Sequence, residues 1–246
     1  MDPLAAWGTW LHTATGIKLT ILYDLTDRSR MVHGFVTTIE LSLVTIVASF
    51  LIGVAGTWLG QSRVAWMRRS VQAYIQLFRN TPPLVQLYFF YFALSPLIQV
   101  GAPSARHPLF TNFFWAAFSL SFFAGAFNVE IFRSGLEAVP RSTIEAAESL
   151  GFTRLQTYLT IVFPLAFRVS LPALANNYVN LVKTTSLAYA IAVPEMLYVA
   201  NQIWSDEVNV PEMMTFVLIA YIALVAILVA GMQQIERRLR IPGYGM

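Results

Sequence analysis

One short polar stretch carries residues whose types and spacing point to mechanical work rather than to covalent chemistry. A glutamate is followed by two alanines, then by a glycine, an isoleucine and a proline at fixed intervals: Glu145, Ala146, Ala147, Gly151, Ile161 and Pro164. Small side chains such as alanine let another surface approach closely. Because the stretch lies between two apolar segments, the spacing predicts an element that docks on a partner rather than a simple connector.

The local signals of this stretch predict two short helices. Pro140 closes the preceding helix, and Ser142 with Glu145 three residues later has the form of a capping box, so a first helix is expected from Thr143 to Gly151. A second helix is expected from about Arg154 to Phe163, ended by Pro164. The loop then has an L shape.

Each of these short helices has an apolar side. Three apolar residues of the first helix share one face: Ile144, Ala147 and Leu150. Four residues of the second helix are expected on its inner side: Leu155, Tyr158, Leu159 and Val162. From the residues alone, an ordered connection lying on the rest of the protein explains the pattern as well as a docking element does.

Motifs for catalysis or nucleotide binding are missing from the sequence. A Walker A loop needs a lysine in a glycine-rich context to cradle phosphates, and the two lysines, Lys18 and Lys183, lack that context. The three histidines are not clustered, there is no metalloprotease or nucleophile-elbow motif, and the chain has no cysteine. We therefore expect no enzyme activity, no metal site and no bound cofactor.

The composition is that of an integral membrane protein. The chain is 57% hydrophobic and only 12% charged, with a mean hydropathy of +0.59. Its pI near 9.3 does not indicate nucleic-acid binding, because the basic residues are dispersed and form no patch with interleaved aromatic residues. The first residues lack the pattern of a removable signal peptide.

Five apolar stretches are predicted to cross the bilayer. Four are uninterrupted and about 20 residues long, the length that a helical span needs: 34–60, 84–101, 112–129 and 213–232. The fifth, 169–193, contains three asparagines and the run Lys183-Thr184-Thr185-Ser186. We include it because, without it, the flanking loops would lie on sides that contradict their charge.

The distribution of basic residues orients these spans. With a cytoplasmic C-terminus, two loops and the tail place their arginines inside, as the positive-inside rule requires: Arg63, Arg68, Arg69; Arg133, Arg141, Arg154; Arg237, Arg238, Arg240. The other two connections hold only Arg106 or the acidic Asp206, Glu207 and Glu212. The N-terminus then lies outside, with residues 4–23 as an interfacial amphipathic helix or, alternatively, a sixth span.

The docking motif resembles that of a known family. Glu145-Ala146-Ala147, Gly151, Ile161 and Pro164 are similar to the EAA loop of bacterial ABC importer permeases, except that Phe163 stands where leucine is common. Three further segments resemble polar-amino-acid permeases of the histidine, glutamine and glutamate-aspartate type: 77–86, 180–187 and 235–240. The resemblance covers the chain from about Phe35 to its end.

This resemblance implies the fold, domains and partners. It implies an all-α, five-span bundle of the type I ABC importer permease kind, with an N-terminal segment 1–33 and a transmembrane domain 34–246 whose EAA loop covers about 137–168. It also implies a multi-pass location in the bacterial inner membrane. The partners would be ABC ATPase subunits that bind ATP and Mg, a second permease that is identical or different, an extracytoplasmic amino-acid-binding protein and membrane lipid.

The resemblance further implies a substrate route through the spans. Ionisable residues inside spans are costly, about 2.5 to 3.5 kcal/mol at a helix centre, so they normally face the bundle interior or a wet cavity. Lys183, with Thr184, Thr185 and Ser186, could meet the carboxylate of an amino acid, or could instead bond backbone carbonyls. Asn128 and Glu130 are weaker candidates, and Glu130 could equally pair with Arg133.

The substrate follows from one departure from the family pattern. Many relatives have an acidic residue directly after the lysine that corresponds to Lys183, whereas this chain has Thr184. A less negative cavity would suit glutamate or aspartate. The alternative function is a channel or another membrane transporter that is not coupled to ATP, and neither would need a docking loop for an ATPase.

Overall fold

The computed structural model describes residues 3–100 and 107–239, and it is almost entirely helical. Three sequence predictions concern residues outside these ranges: Arg106, Arg240 and the end of the second span at Gly101. The α-helices are α1 Pro3–Thr15, α2 Thr20–Tyr23, α3 Leu25–Gly60, α4 Ala65–Arg79, α5 Pro83–Tyr88, α6 Asn112–Glu137, α7 Arg141–Ser149, α8 Arg154–Thr157, α9 Phe163–Thr184, α10 Met196–Glu207 and α11 Val210–Leu239.

Shorter elements connect or extend these helices. Two π-helical segments, Phe89–Leu94 and Tyr158–Val162, and two 3₁₀ segments, Ser95–Leu97 and Thr185–Ile191, continue the helices that precede them. The strands β1 (Gln99–Val100) and β2 (His107–Pro108) form a short antiparallel pair in which Gln99 faces Pro108. The all-α prediction is confirmed apart from this small pair.

Within the described residues, four helical stretches are long and apolar enough to cross a membrane: Leu25–Gly60, Asn112–Glu137, Arg154–Ile191 and Val210–Leu239. They contain four of the five predicted spans. The interrupted stretch 169–193 is among them, because its polar residues are too few to prevent a continuous helix. The predicted span 84–101 corresponds to a shorter apolar helix, Pro83–Leu97.

The N-terminal segment is a helical hairpin rather than one helix. A turn at Gly16, whose φ is +76°, separates α1 from α2. The two helices pack closely, because a Cβ added at Gly8 would lie 2.6 Å from the Leu22 Cβ atom. Neither helix is long enough to be a candidate span. The structure therefore gives no support to the sixth span that the sequence left open.

The chain divides into two compact units. The first takes its described residues from 1–44, 87–118 and 182–226, and its core joins α2, α3, α10 and α11 through buried apolar side chains: Ile21, Met31, Met196, Val199, Ala200, Ile203, Met213 and Val217. The second takes its described residues from 45–86, 119–181 and 227–246. One of its clusters lies within the predicted docking loop, about 137–168, and is formed by Val139, Val162 and Ala166.

Candidate coupling loop and substrate pathway

The first helix of the docking loop begins two residues earlier than expected. Helix α7 starts at Arg141, with Pro140 as its N-cap residue in an extended conformation and no side-chain cap. The predicted capping box of Ser142 and Glu145 is therefore wrong. The reason is that Pro140 has two parts: α6 ends at Glu137, just before it, and Pro140 is also the N-cap residue of α7, so Ser142 lies inside the helix and not at its N-cap.

The two alanines of the motif have different environments. Ala147 is only 3% exposed and lies on the inner face of α7, whereas Glu145 and Ala146 are exposed. Ile144 and Tyr158 pack against the nearby cluster of Val139, Val162 and Ala166. Ala147 thus seats the helix on its own unit, and Glu145 and Ala146 remain available for a partner.

Gly151 makes the bend that the sequence predicted. Its φ is +84°, a conformation that residues with a Cβ rarely adopt, and no atom lies within 4 Å of the position that a Cβ would take. The Phe152 N–H bonds to the Ala147 carbonyl at 3.1 Å, which closes the end of α7. The bend is therefore required by the backbone and not by crowding.

A capping box is present, but at the second helix. The Thr153 hydroxyl accepts from the Gln156 N–H, and the Gln156 side chain accepts from the Thr153 N–H at 2.9 Å. Helix α8 then continues through a π-helical segment into α9, so the prediction that Pro164 ends the helix is wrong. Pro164 is the second residue of α9 and follows the π-helical segment Tyr158–Val162 almost directly, at the point where the backbone hydrogen-bond pattern changes.

Apolar side chains of the bend are exposed in this chain. Leu150 is 79% exposed and Leu155 is 68% exposed, with Phe152 between them 40% exposed. The expected inner position is confirmed for Val162, which is buried, but it is wrong for Leu155 and for Leu159. The π-helical segment Tyr158–Val162 changes the angular position of Leu159, which a regular period of 3.6 cannot anticipate. Leu155 lies before this segment, on the exposed first turn of α8. Of the other two markers, Ile161 and Pro164 are half-buried.

Residues of the predicted substrate route lie in different settings on α9 and on the 3₁₀ turn after it. Lys183 is exposed. Asn176 and Asn180, seven and three residues before it on α9, are also exposed and lie on the same face of the helix. Thr185 is buried and donates to the Val182 carbonyl at 2.7 Å. Ser186 donates to the Lys183 carbonyl at 2.9 Å, and Thr184 is half-buried.

The weaker candidates on α6 already have protein partners. Asn128 is buried and accepts a hydrogen bond from the Asn177 amide at 2.8 Å. Glu130 binds Arg133 through both of its carboxylate oxygens, at 3.1 and 3.0 Å, and lies 3.5 Å from a guanidinium nitrogen of Arg79. The predicted alternative for Glu130, an ion pair with Arg133, is therefore present.

A buried carboxyl group outside these predictions lies at the start of α10. Glu195 is fully buried and accepts hydrogen bonds from the backbone of α10 and from Tyr221. Burial raises its pKa to about 7. The sequence did contain a signal for this site: a glutamate after Pro194 and before an apolar run indicates the start of a helix, because acidic residues are favoured at helix N-termini.

Across residues 3–100 and 107–239, no group of three or more His, Cys, Asp or Glu residues could hold a metal ion. The chemistry that the described residues offer is recognition and motion: an exposed bend at Gly151, a polar face on α9 and several ion pairs.

Comparisons with known proteins agree with this arrangement. The chain is 32% identical over 231 residues to a probable glutamine ABC transporter permease of Bacillus subtilis (strain 168), covering 91% of this chain and 98% of that protein. It is 28% identical to the glutamate/aspartate import permease GltJ of Escherichia coli (strain K12), covering 96% of each chain. A solved amino acid ABC transporter with histidines has the same fold, with a TM-score of 0.77 at 24% identity over 89% of this chain and 98% of that one.

A family model matches most of the chain as well. Residues 52–241 match the model described as the inner membrane component of binding-protein-dependent transport systems. Together with the apolar helices, this match makes the chain a multi-pass inner-membrane protein. The protein therefore belongs to the family of inner membrane components of binding-protein-dependent transport systems, the permeases of ABC importers.

Proposed function

We propose that this chain is a permease subunit of an ATP-driven importer that brings polar amino acids from an extracytoplasmic binding protein into the cytoplasm. The exposed, glycine-bent loop between two candidate spans carries this proposal. The relatives support it, since they are described as permeases for glutamine and for glutamate and aspartate. A channel, the alternative from the sequence, has no relative among them in its support.

In the proposed topology the helix Pro83–Leu97 serves as the second of five spans, the N-terminus lies outside and the C-terminus is cytoplasmic. Residues 1–33 lie at the outer membrane interface, and 34–246 form the transporter domain. Exposed Trp7 and Trp10 on α1 support contact with lipid, because tryptophan is enriched at membrane interfaces. The EAA loop, about 137–168, then faces the cytoplasm.

Coupling would take place at this loop. Glu145, Ala146 and the bend at Gly151 dock in a groove on an ATPase subunit, which binds the ATP and Mg that this chain does not bind. Ala147, Ile161 and Pro164 hold the loop on its own unit and carry its movement into α9. Closure of the ATPase pair around nucleotide then switches the cavity between inward-facing and outward-facing states by alternating access.

The polar face of α9 supports a route for substrate. Asn176, Asn180 and Lys183 are exposed in the single chain, although α9 lies within a candidate span. Such a face is costly against acyl chains, so it is covered by protein or lines a wet cavity. We assign it to the route completed by the second permease, identical or different.

The other candidates of the route have smaller parts. Thr184, Thr185 and Ser186 shape the turn after Lys183. Asn128 and Glu130 belong to the wall of the route and keep their present partners while substrate passes.

Glutamate and aspartate are the proposed substrates, because Lys183 supplies a positive charge and Thr184 adds no negative one. The test is uptake of a panel of labelled amino acids by vesicles that contain the complete complex. Lys183→Met should lower acidic amino-acid uptake by about tenfold, equivalent to roughly 1.4 kcal/mol. The other lysine provides the control, since Lys18→Met should leave the preference unchanged. Preference of the wild type for arginine or histidine would remove the acidic-substrate proposal.

The docking proposal is tested by charge reversal within one helix. Glu145→Lys should abolish the stimulation of ATPase activity by substrate while the chain stays in the membrane. Glu148→Lys makes the same charge change on the same helix outside the motif and should retain the stimulation. Unchanged stimulation in Glu145→Lys, or no ATP-binding subunit retained with the wild type in mild detergent, contradicts the proposal.

A further inference from the structure

Helix α10, in the connection between the candidate spans that end at Ile191 and begin at Val210, runs antiparallel to α3. Its first N–H, that of Met196, donates to the Thr38 hydroxyl of α3 at 3.0 Å. Near its other end, Asp206 binds Arg30 of α3 at 3.1 Å. The two helices are thus joined at both ends of α10.

Close packing joins them between these points. A Cβ added at Gly34 would lie 2.9 Å from the Cγ2 atom of Val199, so α3 approaches α10 more closely than a larger residue would allow. Three side chains on this part of α10 are buried in the core of the first unit: Val199, Ala200 and Ile203. Separating the helices would expose this apolar surface to solvent or lipid.

The start of α10 is fully capped. The free N–H groups of a helix start need partners, and here Thr38 accepts from Met196 while Glu195 accepts from Leu197 at 3.0 Å and from Tyr198 at 2.9 Å. The fourth N–H, that of Val199, bonds to the Glu195 carbonyl at 3.0 Å. No N–H of this first turn is left without an acceptor.

The same carboxyl group reaches α11. The Tyr221 hydroxyl donates to the Glu195 Oε2 atom at 3.1 Å. Glu195 is therefore shared between α10 and α11, while Thr38 connects α10 to α3. Because Glu195 is fully buried, removal of its side chain would leave two N–H groups and one hydroxyl without their partner in a dry site.

Unusual backbone conformations flank α10. In the described part of the chain, the only residues other than glycine with a positive φ are Ala192 at 56° and Val208 at 54°, one on each side of α10. Such conformations are unfavourable for a residue with a Cβ, above all for β-branched valine, and here each ends a helix: the Ala192 N–H bonds to the Tyr189 carbonyl at 3.0 Å and the Val208 N–H to the Trp204 carbonyl at 2.9 Å.

We propose that Glu195 is a positioning residue that makes α10 a brace between the parts of α3 and α11 that lie in the first unit, so that these two parts move with α10 as one body during the transport cycle. The brace lies outside the docking loop and the polar face of α9. The movement during a transport cycle rests on the proposed function, whereas the contacts of Glu195 do not.

The first experiment joins α3 and α10 covalently. The chain has no cysteine, so Arg30→Cys with Asp206→Cys, or Ser29→Cys with Gln202→Cys, provides the only reactive pair in this subunit. The assembled complex in vesicles is treated with a reducible bismaleimide, and ATP-dependent uptake is measured before treatment, after it and after reduction. We expect crosslinking to leave uptake within about twofold, a change too small to indicate a blocked step.

A different outcome would overturn the brace. Uptake that falls by about tenfold on crosslinking and returns on reduction would show that α3 and α10 must separate. Absence of ATP-dependent uptake before crosslinking would instead count against the proposed function, so the two failures are distinguishable.

The second experiment tests Glu195 without a transport assay. Val199→Cys places a thiol on the buried face of α10, and its reaction with a soluble maleimide reports exposure of that face. Glu195→Ala should speed this reaction by about tenfold, whereas Glu195→Gln, which retains a hydrogen-bonding side chain of the same size, should change it by less than about threefold. Equal rates in Glu195→Ala and in the parent would remove Glu195 from the role.

Discussion

The docking loop contains the short helix α7, and the brace is the short helix α10. Both lie between candidate spans, but the backbone N–H groups at their starts differ in whether side chains cap them. Helix α7 begins without a side-chain cap and ends at an exposed bend. Helix α10 begins with Glu195 and Thr38 on its N–H groups and buries one face in its own unit. The difference separates a helix that presents its surface outward from one whose contacts are complete within the chain.

The largest effect is expected at the bend of the docking loop. Gly151→Pro cannot adopt a φ of +84°, so the loop must rearrange and uptake should fall by about a hundredfold, equivalent to roughly 3 kcal/mol. Uptake by the reconstituted complex measures it. Gly16→Pro is the matched control, since Gly16 has a similar φ of +76° outside the loop. If both variants lose transport equally, backbone strain and not docking explains the loss.

Loss of Glu195 in the brace should lower the thermal stability of the protein rather than its coupling to ATP hydrolysis. Glu195→Ala removes the acceptor for Leu197, Tyr198 and Tyr221, and each buried group left unpaired costs about 1 to 3 kcal/mol. We expect the Tm of the purified complex to fall by at least about 5 °C, since three such groups at a few degrees per kcal/mol give no less than this. An unchanged Tm would mean that water or other groups replace the carboxyl, and the contrast with α7 would then disappear.

A smaller effect is expected from pH. Burial raises the pKa of Glu195 to about 7 from an ordinary value of 4.5, so the folded protein binds this proton more tightly than the unfolded chain does. The resulting stabilisation is complete below about pH 4.5 and is lost as the pH rises through about 7. Among the groups that shift this pKa, Tyr221 is the titratable one. The difference in Tm between wild type and Glu195→Gln should therefore change across this window, and a constant difference would contradict the assignment.

The smallest effect is expected at the far end of the brace. Lys18 binds Glu207 at 2.9 Å, and this hydrogen bond raises the pKa of Lys18, but both side chains are partly exposed. Exposed ion pairs contribute little to stability, so Lys18→Met should lower the Tm by no more than about 2 °C. A fall in Tm as large as that in Glu195→Ala would show that the contact at Glu207, at the end of α10, holds this helix more than the carboxyl group of Glu195 does.

The sequence predicted those features that depend on local pattern. The interrupted stretch 169–193 was predicted as a span from the charge of the loops and the apolar residues at both ends, and most of it lies in a helical stretch that is long and apolar enough to cross a membrane. Gly151 was correctly expected at a bend, since the preference of glycine for positive φ needs no distant partner.

The remaining features depend on contacts between distant residues or on irregular helix geometry. The partner of Met196 is Thr38, 158 residues away, and the hydroxyl that binds Glu195 comes from Tyr221 on another helix. No spacing rule connects these positions. The exposure of Leu159 was missed because it lies in the π-helical segment Tyr158–Val162. The start of α7 was missed because Pro140 both follows the end of α6 and serves as the N-cap residue of α7.

The polar face of α9 also bears on how the cell makes this protein. Under the proposed function a second permease covers this face, so Asn176, Asn180 and Lys183 would meet acyl chains in a newly inserted copy before assembly. An unassembled copy is then less stable in the bilayer than an assembled one, and membrane proteases can degrade it. We expect synthesis of this chain alone to give rapid turnover, so that its abundance follows that of the subunit beside it.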